Sequence, residues 1–304
     1  MNDTVFLLGA GGFIGQRLAH RIADGGRDVI AATRRPVAFD HPRIRNAVEP
    51  WDDRAQFARW TDGCNAIVHA ASSSTPGSSA AQPQLEGNLR TTLALVEALQ
   101  DAPASRLLFL SSGGTLYGDR DSPAAEDAPL RPRSYHGAGK IAAESFIRAW
   151  AEQYAGTAIV LRPSNVYGPG QPARSGFGII PAAFDCAMHG KPLTVWGDGT
   201  TVRDYLYIDD LLALCEAALG QPLDAGAWTF NAANGTGVSL GTLLDMIGAI
   251  AGHPVERRHE PARRVDIHAI AFDNGAARAA FDWTPKTGLE DGLRLTWEWI
   301  RRQA

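Results

Sequence analysis

The sequence predicts an α/β fold, a doubly wound parallel sheet with a smaller C-terminal lobe, and three observations predict it. Short apolar runs alternate with helical patterns through the first half of the chain, as in successive β-α-β units. A cluster of glycines follows the first apolar run. After about residue 165 the sequence changes to loops rich in glycine and proline, before helical patterns return. With 304 residues, the chain is long enough for one large domain or two smaller ones that share a cleft.

The individual elements follow from these patterns in chain order. The predicted strands are short apolar runs at residues 4–8, 28–32, 66–69, 106–110 and 158–161. The predicted helices have periodic apolar positions near residues 13–25, 53–61, 85–101, 135–155, 208–219, 239–251 and 289–302. In the first half a helix separates consecutive strands in most cases, which is the connection that parallel strands require.

Composition and charge argue against several classes of protein. The formal net charge of −4 gives no electrostatic reason to expect a nucleic acid or an anionic membrane surface as a partner. No run approaches the roughly 18 apolar residues of a transmembrane span, and the sequence begins without a basic leader. The three cysteines are widely spaced and form no metal-ligand pattern, so we expect a cytoplasmic protein without a metal site.

A glycine-rich turn follows the first predicted strand and opens the first helix. Gly9, Gly12 and Gly15 lie three residues apart, and Phe13 and Ile14 stand between the last two. Glycines permit a tight turn and a close approach of the backbone to a ligand, while the helix N-terminus faces a pyrophosphate. The arrangement therefore predicts a dinucleotide-binding site of the Rossmann type.

This turn also indicates how the chain divides. We expect residues 1–165 to form a Rossmann-type dinucleotide-binding domain, completed by a strand that returns from the region 202–231. Residues 166–304 would form mainly a substrate-binding lobe. The lobe would close over the first domain, so that the ligands lie between the two.

The end of the second strand is where such a domain usually contacts the adenosine ribose. Enzymes that use NAD place an acidic residue there to bond the 2′-hydroxyl, whereas arginines accommodate the 2′-phosphate of NADP. This chain has Thr33, Arg34 and Arg35 at that point and no acid. An arginine fork suits a phosphate, so NADP is favoured over NAD. The alternative is that both arginines are solvated and NAD is bound.

Residues 132–140 form a motif with one departure from a known pattern. They read Pro-Arg-Ser-Tyr-His-Gly-Ala-Gly-Lys. The stretch resembles the Pro-x-Ser-x-Tyr-Gly-x-x-Lys pattern of extended short-chain dehydrogenases/reductases, in which a catalytic Tyr stands four residues before a catalytic Lys. Here the residue four before Lys140 is His136, and Tyr135 stands one place earlier. Residues four apart share a helix face, whereas residues five apart are rotated by about 140°.

Three interpretations of this motif remain open. The resemblance implies that the residue in the Tyr position removes the proton of a sugar 4-hydroxyl, while Lys140 bonds the nicotinamide ribose. His136 could accept that proton, because a reference pKa of about 6.5 leaves an imidazole largely neutral at pH 7. Alternatively, Tyr135 reaches the site through a distorted helix start, or the site is impaired.

A second motif concerns the catalytic hydroxyl group. Residues 111–118 resemble the family's S-S-x-x-x-V-Y-G strand end, and the usual hydroxyl position holds Gly113. Thr115 is the nearest side chain that could hydrogen-bond the sugar instead, and Ser112 is a second candidate. Relatives that dehydrate sugars carry an Asp-Glu pair at the positions of Gly114 and Thr115. Its absence counts against a dehydratase.

The resemblance extends to further cofactor-binding positions. Residues 68–71 resemble the family's V-x-H-x-A-A strand end, whose small residues let the cofactor lie flat. Asn88 falls where the family keeps an Asn that kinks a helix, although an ordinary exposed helical Asn is the alternative. The cofactor contacts implied in this way are His69, Ala70, Ala71, Asn88, Ser111, Lys140 and Pro163.

Two segments of the second half, residues 161–171 and 193–211, resemble the parts of sugar-nucleotide epimerases that bind a nucleoside diphosphate. The arginine of the second segment, Arg203, would clamp the diphosphate, for which its fork is well suited. Trp196 would flank the nucleobase, although a core Trp is the alternative. The substrate contacts implied by the resemblance are Thr115, Asn165, Val195, Trp196, Arg203, Arg263 and Asp266.

Nearly the whole chain resembles the NAD-dependent epimerase/dehydratase family, nearest to nucleoside-diphosphate-sugar 4-epimerases of the UDP-glucose 4-epimerase type. We expect an epimerase that acts on a UDP-sugar through a transient 4-keto sugar, with its cofactor retained. The alternatives are an NADP(H)-dependent 4-ketosugar reductase and a catalytically impaired relative that binds a sugar nucleotide.

The resemblance also implies a homodimer. Its interface would be a four-helix bundle formed by the helices near residues 85–101 and 135–155 of each copy. Both helices carry apolar rows, which could equally face the protein's own core and which include Leu89, Leu93, Val96 and Phe146.

Overall fold

A seven-stranded parallel sheet forms the centre of the computed structural model, which describes residues 3–74, 80–102, 105–173 and 178–303. The strands of the chain are β1 (Thr4–Leu8), β2 (Asp28–Thr33), β3 (Ile44–Val48), β4 (Ala66–His69), β5 (Arg106–Leu110), β6 (Thr157–Pro163), β7 (Asn165–Tyr167), β8 (Leu193–Trp196), β9 (Val202–Tyr207), β10 (Gly226–Ala232), β11 (Gly237–Ser239) and β12 (Arg257–Glu260). The central sheet has the order β10-β6-β5-β4-β1-β2-β3.

Helices cover both faces of this sheet. They are α1 (Phe13–Asp24), α2 (Arg54–Thr61), α3 (Gln82–Gln84), α4 (Arg90–Leu99), α5 (Gly113–Leu116), α6 (Tyr135–Tyr154), α7 (Ile179–His189), α8 (Ile208–Gly220), α9 (Leu240–Ala251), α10 (Gly275–Phe281) and α11 (Leu289–Gln303), with a π-helical turn (Leu85–Leu89) between α3 and α4. Helices α1 and α8 pack together on one face, and α2, α4 and α6 pack on the other.

The apolar runs form strands because both faces of a parallel sheet are buried. Strand β1 shows the consequence, since side chains alternate between the two faces of a sheet. Val5 and Leu7 join the core beneath α1 and α8, whereas Phe6 and Leu8 join the core beneath α2, α4 and α6. The predicted α/β fold is confirmed, and all five predicted strands are present.

The C-terminal part of the chain contributes two smaller sheets and one strand of the central sheet. Strands β11, β9 and β7 form one small sheet, and β12 pairs with β8. Strand β10 instead lies parallel to β6 at the edge of the central sheet, with Phe230 opposite Leu161. The division at residue 165 stays a prediction. In the described part of the chain, no helix is both long enough and apolar enough to cross a membrane.

Several elements differ from the prediction, and for three of them the sequence shows the reason. The helix predicted near 85–101 is replaced by α3, the π-helical turn and α4, which together begin at Gln82 and end at Leu99. Strand β3 was not predicted, because it lies at a sheet edge and keeps only one of its five residues, Ala47, fully buried. Helix α7 was not predicted either, because Pro181 lies in its first turn, where proline is tolerated but resembles a loop residue.

The sheet order locates the crevice in which ligands bind to such folds. The order reverses between β1 and β4, and a crevice opens there at the carboxyl ends of the strands. The loops after β1, β4 and β5 and the start of α6 all border this edge.

Candidate active site

The glycine-rich turn after β1 lies tightly against the end of β4. Gly9 has a φ of +90°, and a Cβ atom there would lie 2.6 Å from the backbone nitrogen of Ala71. A Cβ atom at Gly15 would lie 2.1 Å from the carbonyl oxygen of Gly9. Neither position can hold a larger residue without moving the backbone, so the turn has the tight geometry that the spacing predicted.

The first turn of α1 offers free backbone donors to the crevice. Gly12 precedes the helix and has no side chain that could cap it. The amides of Phe13 and Ile14 therefore lack the partner that amides deeper in a helix have. The side chains of both residues are partly buried against the core, as is Ala70 at the end of β4. This arrangement fits a pyrophosphate, which helix N-termini bind through their amides and dipole.

The residues expected near the adenosine ribose lie at the end of β2. Thr33 is buried beside Gly11, and its hydroxyl has no hydrogen-bond partner in the described structure. Arg34 and Arg35 are exposed, and neither forms an ion pair with another described residue. An unsatisfied buried hydroxyl and two free guanidinium groups at this place fit the adenosine end of NAD or NADP.

His69 and Asn88, two of the predicted cofactor residues, bond protein atoms beside the crevice. His69 Nε2 lies 3.0 Å from Thr92 Oγ1 on α4. Burial, and after it the charge of Lys140, lowers the pKa of His69 to about 3, so the ring is neutral at pH 7. Asn88 lies in the π-helical turn and bonds the loop after β4, as described below. Both side chains hold in place the segments that border the crevice.

Helix α6 places His136 and Lys140 on one buried face, one turn apart. Ser134 caps the helix by accepting a hydrogen bond from a first-turn amide at 3.1 Å. His136 Nδ1 lies 2.9 Å from Ser74 Oγ, and Lys140 Nζ donates to the carbonyl oxygen of Leu110 at 2.8 Å. His136 thus occupies the position that the motif gives to Tyr.

Burial controls the protonation of both side chains. Burial, followed by the charge of Lys140, lowers the pKa of His136 to about 4. Burial also lowers the pKa of Lys140 to about 8, against the opposing effect of the Glu144 carboxylate. At pH 7 the pair therefore consists of a neutral imidazole and a predominantly charged ammonium group.

The structure does not bring Tyr135 to this pair. Its side chain is 52% exposed, and α6 begins at this residue with an ordinary serine cap rather than a distortion. A residue one position before His136 is rotated away from the buried face of the helix. The interpretation in which Tyr135 reaches the site through a distorted helix start does not hold in this structure.

A cavity of about 130 Å³ lies between α5, the start of α6 and the C-terminal part of the chain. Six predicted site residues line it: Ser112, Thr115, Asn165, Arg203, Arg263 and Asp266. Thr115 Oγ1 donates to Ser112 Oγ at 3.1 Å, so the two candidate hydroxyls act as a unit. Ser134 also lines the cavity, which therefore adjoins the helix start that carries His136.

Two arginines supply positive charge to the other side of this cavity. Arg203 Nη1 donates to the carbonyl oxygen of Val202 at 2.8 Å, and burial lowers the pKa of its guanidinium. Arg263 forms a two-bond pair with Asp266, at 3.0 and 2.8 Å, and lies 5.2 Å from the centre of the Trp196 ring. Arg203 forms no ion pair with a described residue, so its charge is available to an anionic ligand.

Val195 is a correction to the predicted substrate contacts. Its side chain is buried in the hydrophobic core, because neighbouring residues of β8 point to opposite sides. Trp196 faces outward, is 41% exposed and stacks with Arg263 near the cavity. Only Trp196 of this predicted pair is accessible to a nucleobase.

Ser111 and Pro163 lie at the ends of β5 and β6, next to a buried ion pair. The Ser111 hydroxyl donates to the Glu144 carboxylate instead of pointing freely into the crevice. Glu144 pairs with Arg162 at 2.7 Å, and Arg162 Nη1 donates to the Tyr117 hydroxyl at 2.8 Å. Pro163 follows Arg162 and is buried. These bonds fix the floor of the site between two strands and α6.

Arg133 is a cavity residue that the sequence analysis missed. Its guanidinium donates to the Asp119 carboxylate at 2.5 Å and to the carbonyl oxygen of Asp266 at 3.0 Å. It stands inside the motif at residues 132–140, at a position that the family pattern leaves free. Its position beside the motif's Ser was the available signal. Among the described residues, no group of His, Cys, Asp and Glu side chains could hold a metal ion.

Comparisons with known proteins agree with this geometry. The model of the NAD dependent epimerase/dehydratase family matches residues 5–233. The chain is 28% identical to UDP-glucose 4-epimerase of Mycolicibacterium smegmatis, over 97% of this chain and 98% of that protein. It is also 28% identical to dTDP-4-dehydro-6-deoxy-D-allose reductase of Streptomyces bikiniensis, over 98% and 96% of the two chains.

Solved structures give the same result for the fold. The chain superposes on UDP-glucose 4-epimerase of Thermus thermophilus in complex with NAD, with a TM-score of 0.90 and 26% identity. The similarity covers 99% of this chain and 100% of that one. The family match spans three quarters of the sequence. The predicted family is confirmed: the chain belongs to the NAD dependent epimerase/dehydratase family.

Proposed function

We propose that this protein is a nucleoside-diphosphate-sugar 4-epimerase that converts a UDP-sugar through a transient 4-keto sugar. The observation that carries the proposal is the cavity itself, which adjoins the His136–Lys140 helix on one side and has Arg203 and Arg263 on the other. Membership of the family and the similarity to an epimerase and a reductase establish the class of enzyme that was predicted, a nicotinamide-dependent sugar-nucleotide enzyme.

The residues present fit NAD or NADP. The glycine turn and the first amides of α1 would hold the pyrophosphate, and the end of β2 would hold the adenosine ribose. The ammonium group of Lys140 uses one of its three N–H donors for the carbonyl oxygen of Leu110, so two remain for the nicotinamide ribose. The cofactor held there would supply an acceptor, and then a donor, for the hydride of the sugar C4.

The protein's own contribution is to move the hydroxyl proton and hold the nucleotide. His136 accepts the proton of the sugar 4-hydroxyl as the C4 hydride leaves, and gives it back when the hydride returns. Its low pKa makes it a weak base that releases the proton readily. Thr115 and Ser112 hydrogen-bond the sugar oxygen, while Arg203 and Arg263 hold the diphosphate. Inversion at C4 requires the keto sugar to present its opposite face, while the diphosphate stays bound.

The test is incubation of the purified protein with a panel of UDP-sugars, followed by separation of the 4-epimers. An epimerase equilibrates one pair without added cofactor. Binding of the nucleotide sugars without any conversion, with or without NADPH, would contradict the proposal and favour the impaired relative. Consumption of NADPH on a 4-keto sugar, without equilibration of any pair, would favour a reductase.

A 4-ketosugar reductase is the second candidate, because Arg34 and Arg35 are exposed and form no ion pair with a described residue at the point where NADP carries its 2′-phosphate. If they bind this phosphate, NADPH should bind more tightly than NADH. A hydrogen bond to a charged group contributes about 1.5–3 kcal/mol, so we expect Arg34→Ala to reduce the preference by about tenfold or more. Calorimetric titration with both cofactors measures the effect. Arg301→Ala, at an exposed arginine of α11, is the control.

Equal affinities of the unmodified protein for NADPH and NADH would contradict the role of these arginines. The protein would then be assigned NAD, which is bound by the Thermus thermophilus structure.

We propose a homodimer formed through α4 and α6, which pack side by side. Phe146 is 45% exposed on α6 and Leu85 is 49% exposed beside α4, which leaves an apolar surface without a partner among the described residues. Leu89 and Leu93 are half-buried, whereas Val96 belongs to the protein's own core and is removed from the interface. Family resemblance supports the proposal.

Replacing Phe146 with Glu is therefore expected to convert the dimer to a monomer, because a charge would be buried at the interface. Light scattering at micromolar concentration measures the change. Leu295→Glu, at a similarly exposed position of α11, should leave the dimer intact. A monomeric unmodified protein would contradict the proposal.

We also propose a cytoplasmic location. The described structure contains three free thiols and no disulfide among them, at Cys64, Cys186 and Cys215. Free thiols are typical of a reducing compartment, which supports the proposal.

A further inference from the structure

The neutral ring of His136 can carry its proton on either nitrogen, and only the other nitrogen can act as a base. Nδ1 lies 2.9 Å from Ser74 Oγ, a contact that either atom could donate. Nε2 has no hydrogen-bond partner among the described residues. The tautomer therefore decides whether this ring presents a lone pair or a proton on its free side.

For each hydrogen bond around Ser74, the neighbouring bonds determine which atom donates and which accepts. The backbone amide of Ser73 can only donate, and it lies 2.8 Å from Asn88 Oδ1. Since this fixes the oxygen of the Asn88 amide, the nitrogen Nδ2 faces the other way and can only donate. Nδ2 lies 2.8 Å from Ser74 Oγ and 3.0 Å from Gln84 Oε1, so both oxygens accept from it.

Gln84 Oε1 is thereby identified as an acceptor without a proton, and it lies 2.8 Å from Ser74 Oγ. The single hydroxyl proton of Ser74 must therefore point to Gln84. No proton of Ser74 remains for His136, so the contact with Nδ1 is a bond that the ring donates. With one proton given and two accepted, the hydroxyl of Ser74 has used its whole capacity.

The local backbone is shaped to allow these contacts. Gln84 is the last residue of α3 and Asn88 lies in the π-helical turn that follows, so the two stand four residues apart, and both are buried. A Cβ atom at Gly87 would lie 1.9 Å from Ser73 Oγ, and one at Gly139 on α6 would lie 3.1 Å from Gln84 Oε1. Two glycines thus let the loop, the π-helical turn and α6 approach each other.

We propose that Ser73, Ser74, Gln84 and Asn88 hold His136 as the Nδ1–H tautomer, which leaves Nε2 as the proton acceptor of the ring. The catalytic part of this inference rests on the proposed role of His136. In that role the O–H bond of the sugar 4-hydroxyl breaks and an N–H bond forms at Nε2. The resulting imidazolium keeps its Nδ1–H bond to Ser74 until the proton returns to the sugar oxygen. The four residues act through His136 and are positioning residues.

Nitrogen NMR of the protein with 15N-labelled histidine tests the tautomer directly at pH 7.5, because protonated and unprotonated ring nitrogens differ widely in shift. The signals of His136 are those lost in His136→Gln. We expect an unprotonated Nε2 and a protonated Nδ1. The opposite pattern in the unmodified protein would overturn the proposal, and this measurement needs no variant of the positioning residues.

Substitution of Gln84 separates positioning from simple packing. Gln84→Met keeps the length of the side chain but removes the acceptor, so the Ser74 proton becomes free to bond His136 Nδ1 and shift the ring toward the Nε2–H tautomer. Gln84→Glu keeps an acceptor and should keep the tautomer. We expect Gln84→Met to lower kcat by up to about 10²-fold with KM little changed, since that is the lower end of a general base contribution.

An unchanged histidine spectrum in Gln84→Met would also overturn the proposal. The spectrum tests the tautomer, and the turnover tests the base role. Full activity in His136→Gln would refute the base role of His136, whereas the tautomer measured in the unmodified protein would still stand.

Discussion

Replacing His136 with Ala is expected to lower the kcat of sugar interconversion by about 10²–10⁴-fold, the usual contribution of a general base. The expectation rests on the burial of this ring next to Lys140, one helical turn away, at the position where the motif has its catalytic residue. Turnover of the UDP-sugar pair that the unmodified protein equilibrates is the quantity to measure. The KM should change less than kcat, since the diphosphate contacts lie elsewhere.

Two further variants decide between the interpretations of the motif. Tyr135→Phe should turn over like the unmodified protein, because the Tyr135 hydroxyl lies on an exposed side chain. His136→Tyr would place a phenol one turn from Lys140. A higher turnover of this variant would mean that the site works with Tyr as its base and that His at position 136 impairs it. Equal turnover of all three variants would exclude both residues as the base and leave Thr115 or a bound water.

The pH dependence has a definite sign. The folded-state pKa of His136, about 4, lies below its unfolded value of 6.5, so the ring stays unprotonated, and able to accept a proton, down to about pH 4. Activity should therefore fall only as the pH approaches 4. Between pH 6.5 and pH 4 the histidine of the unfolded chain binds a proton that the native ring does not bind. The free energy of unfolding therefore decreases as the pH is lowered through this range. His69 acts in the same direction. Circular dichroism at each pH distinguishes unfolding of the protein from protonation of His136 in the folded state.

Replacing Glu144 with Ala is expected to destabilise the fold by about 3–5 kcal/mol, because it leaves the Arg162 guanidinium buried without a counter-charge. Both side chains are at most 8% exposed, and three bonds of Arg162 to Glu144 measure 2.7 to 3.2 Å. Urea unfolding gives the free energy of unfolding. Glu290→Ala, in the exposed pair of α11 with Arg294, should change it by less than about 1 kcal/mol.

A double variant sharpens this prediction. Glu144→Leu together with Arg162→Met removes both charges, and we expect it to cost far less than Glu144→Ala alone, since a buried pair contributes little net stability. If Glu144→Ala and Glu290→Ala lower the free energy of unfolding equally, the loss of Glu144 leaves no uncompensated buried charge on Arg162, and the prediction is contradicted.

The central sheet could be predicted from the sequence because its strands are buried on both faces and appear as unbroken apolar runs. Strand β3 could not, since its exposed Arg45 and Asn46 hide the pattern. The break in the helix near Asn88 was indicated only by the family resemblance, because a single π-helical turn of five residues is too short to show its own periodicity. Motif spacing predicted the tight glycine turn at Gly9 and the shared helix face of His136 and Lys140.

Predictions for the site failed where they depended on side-chain direction or on distant segments. Val195 and Trp196 were assigned together, yet one residue of two neighbours in a strand must face the core. Ser74 and Gln84 were missed because loop and helix come together only in the folded chain. Arg133 was missed because the motif does not fix the residue at its position, although Arg133 lines the cavity and donates to the carbonyl oxygen of Asp266, another lining residue.

Strand β10 has a consequence for how this enzyme can be divided or recombined. A fragment cut at residue 165 would retain every glycine of the cofactor turn but would leave β6 as an open sheet edge, a surface that invites aggregation. It would also lose Asn231, which accepts a hydrogen bond from Tyr117 and donates to the carbonyl oxygens of Ala124 and Asp273. The two sequence halves therefore share the central sheet. In a chimaera that takes one half from another enzyme, β6 and β10 would come from different proteins, and their side chains would not be matched to each other.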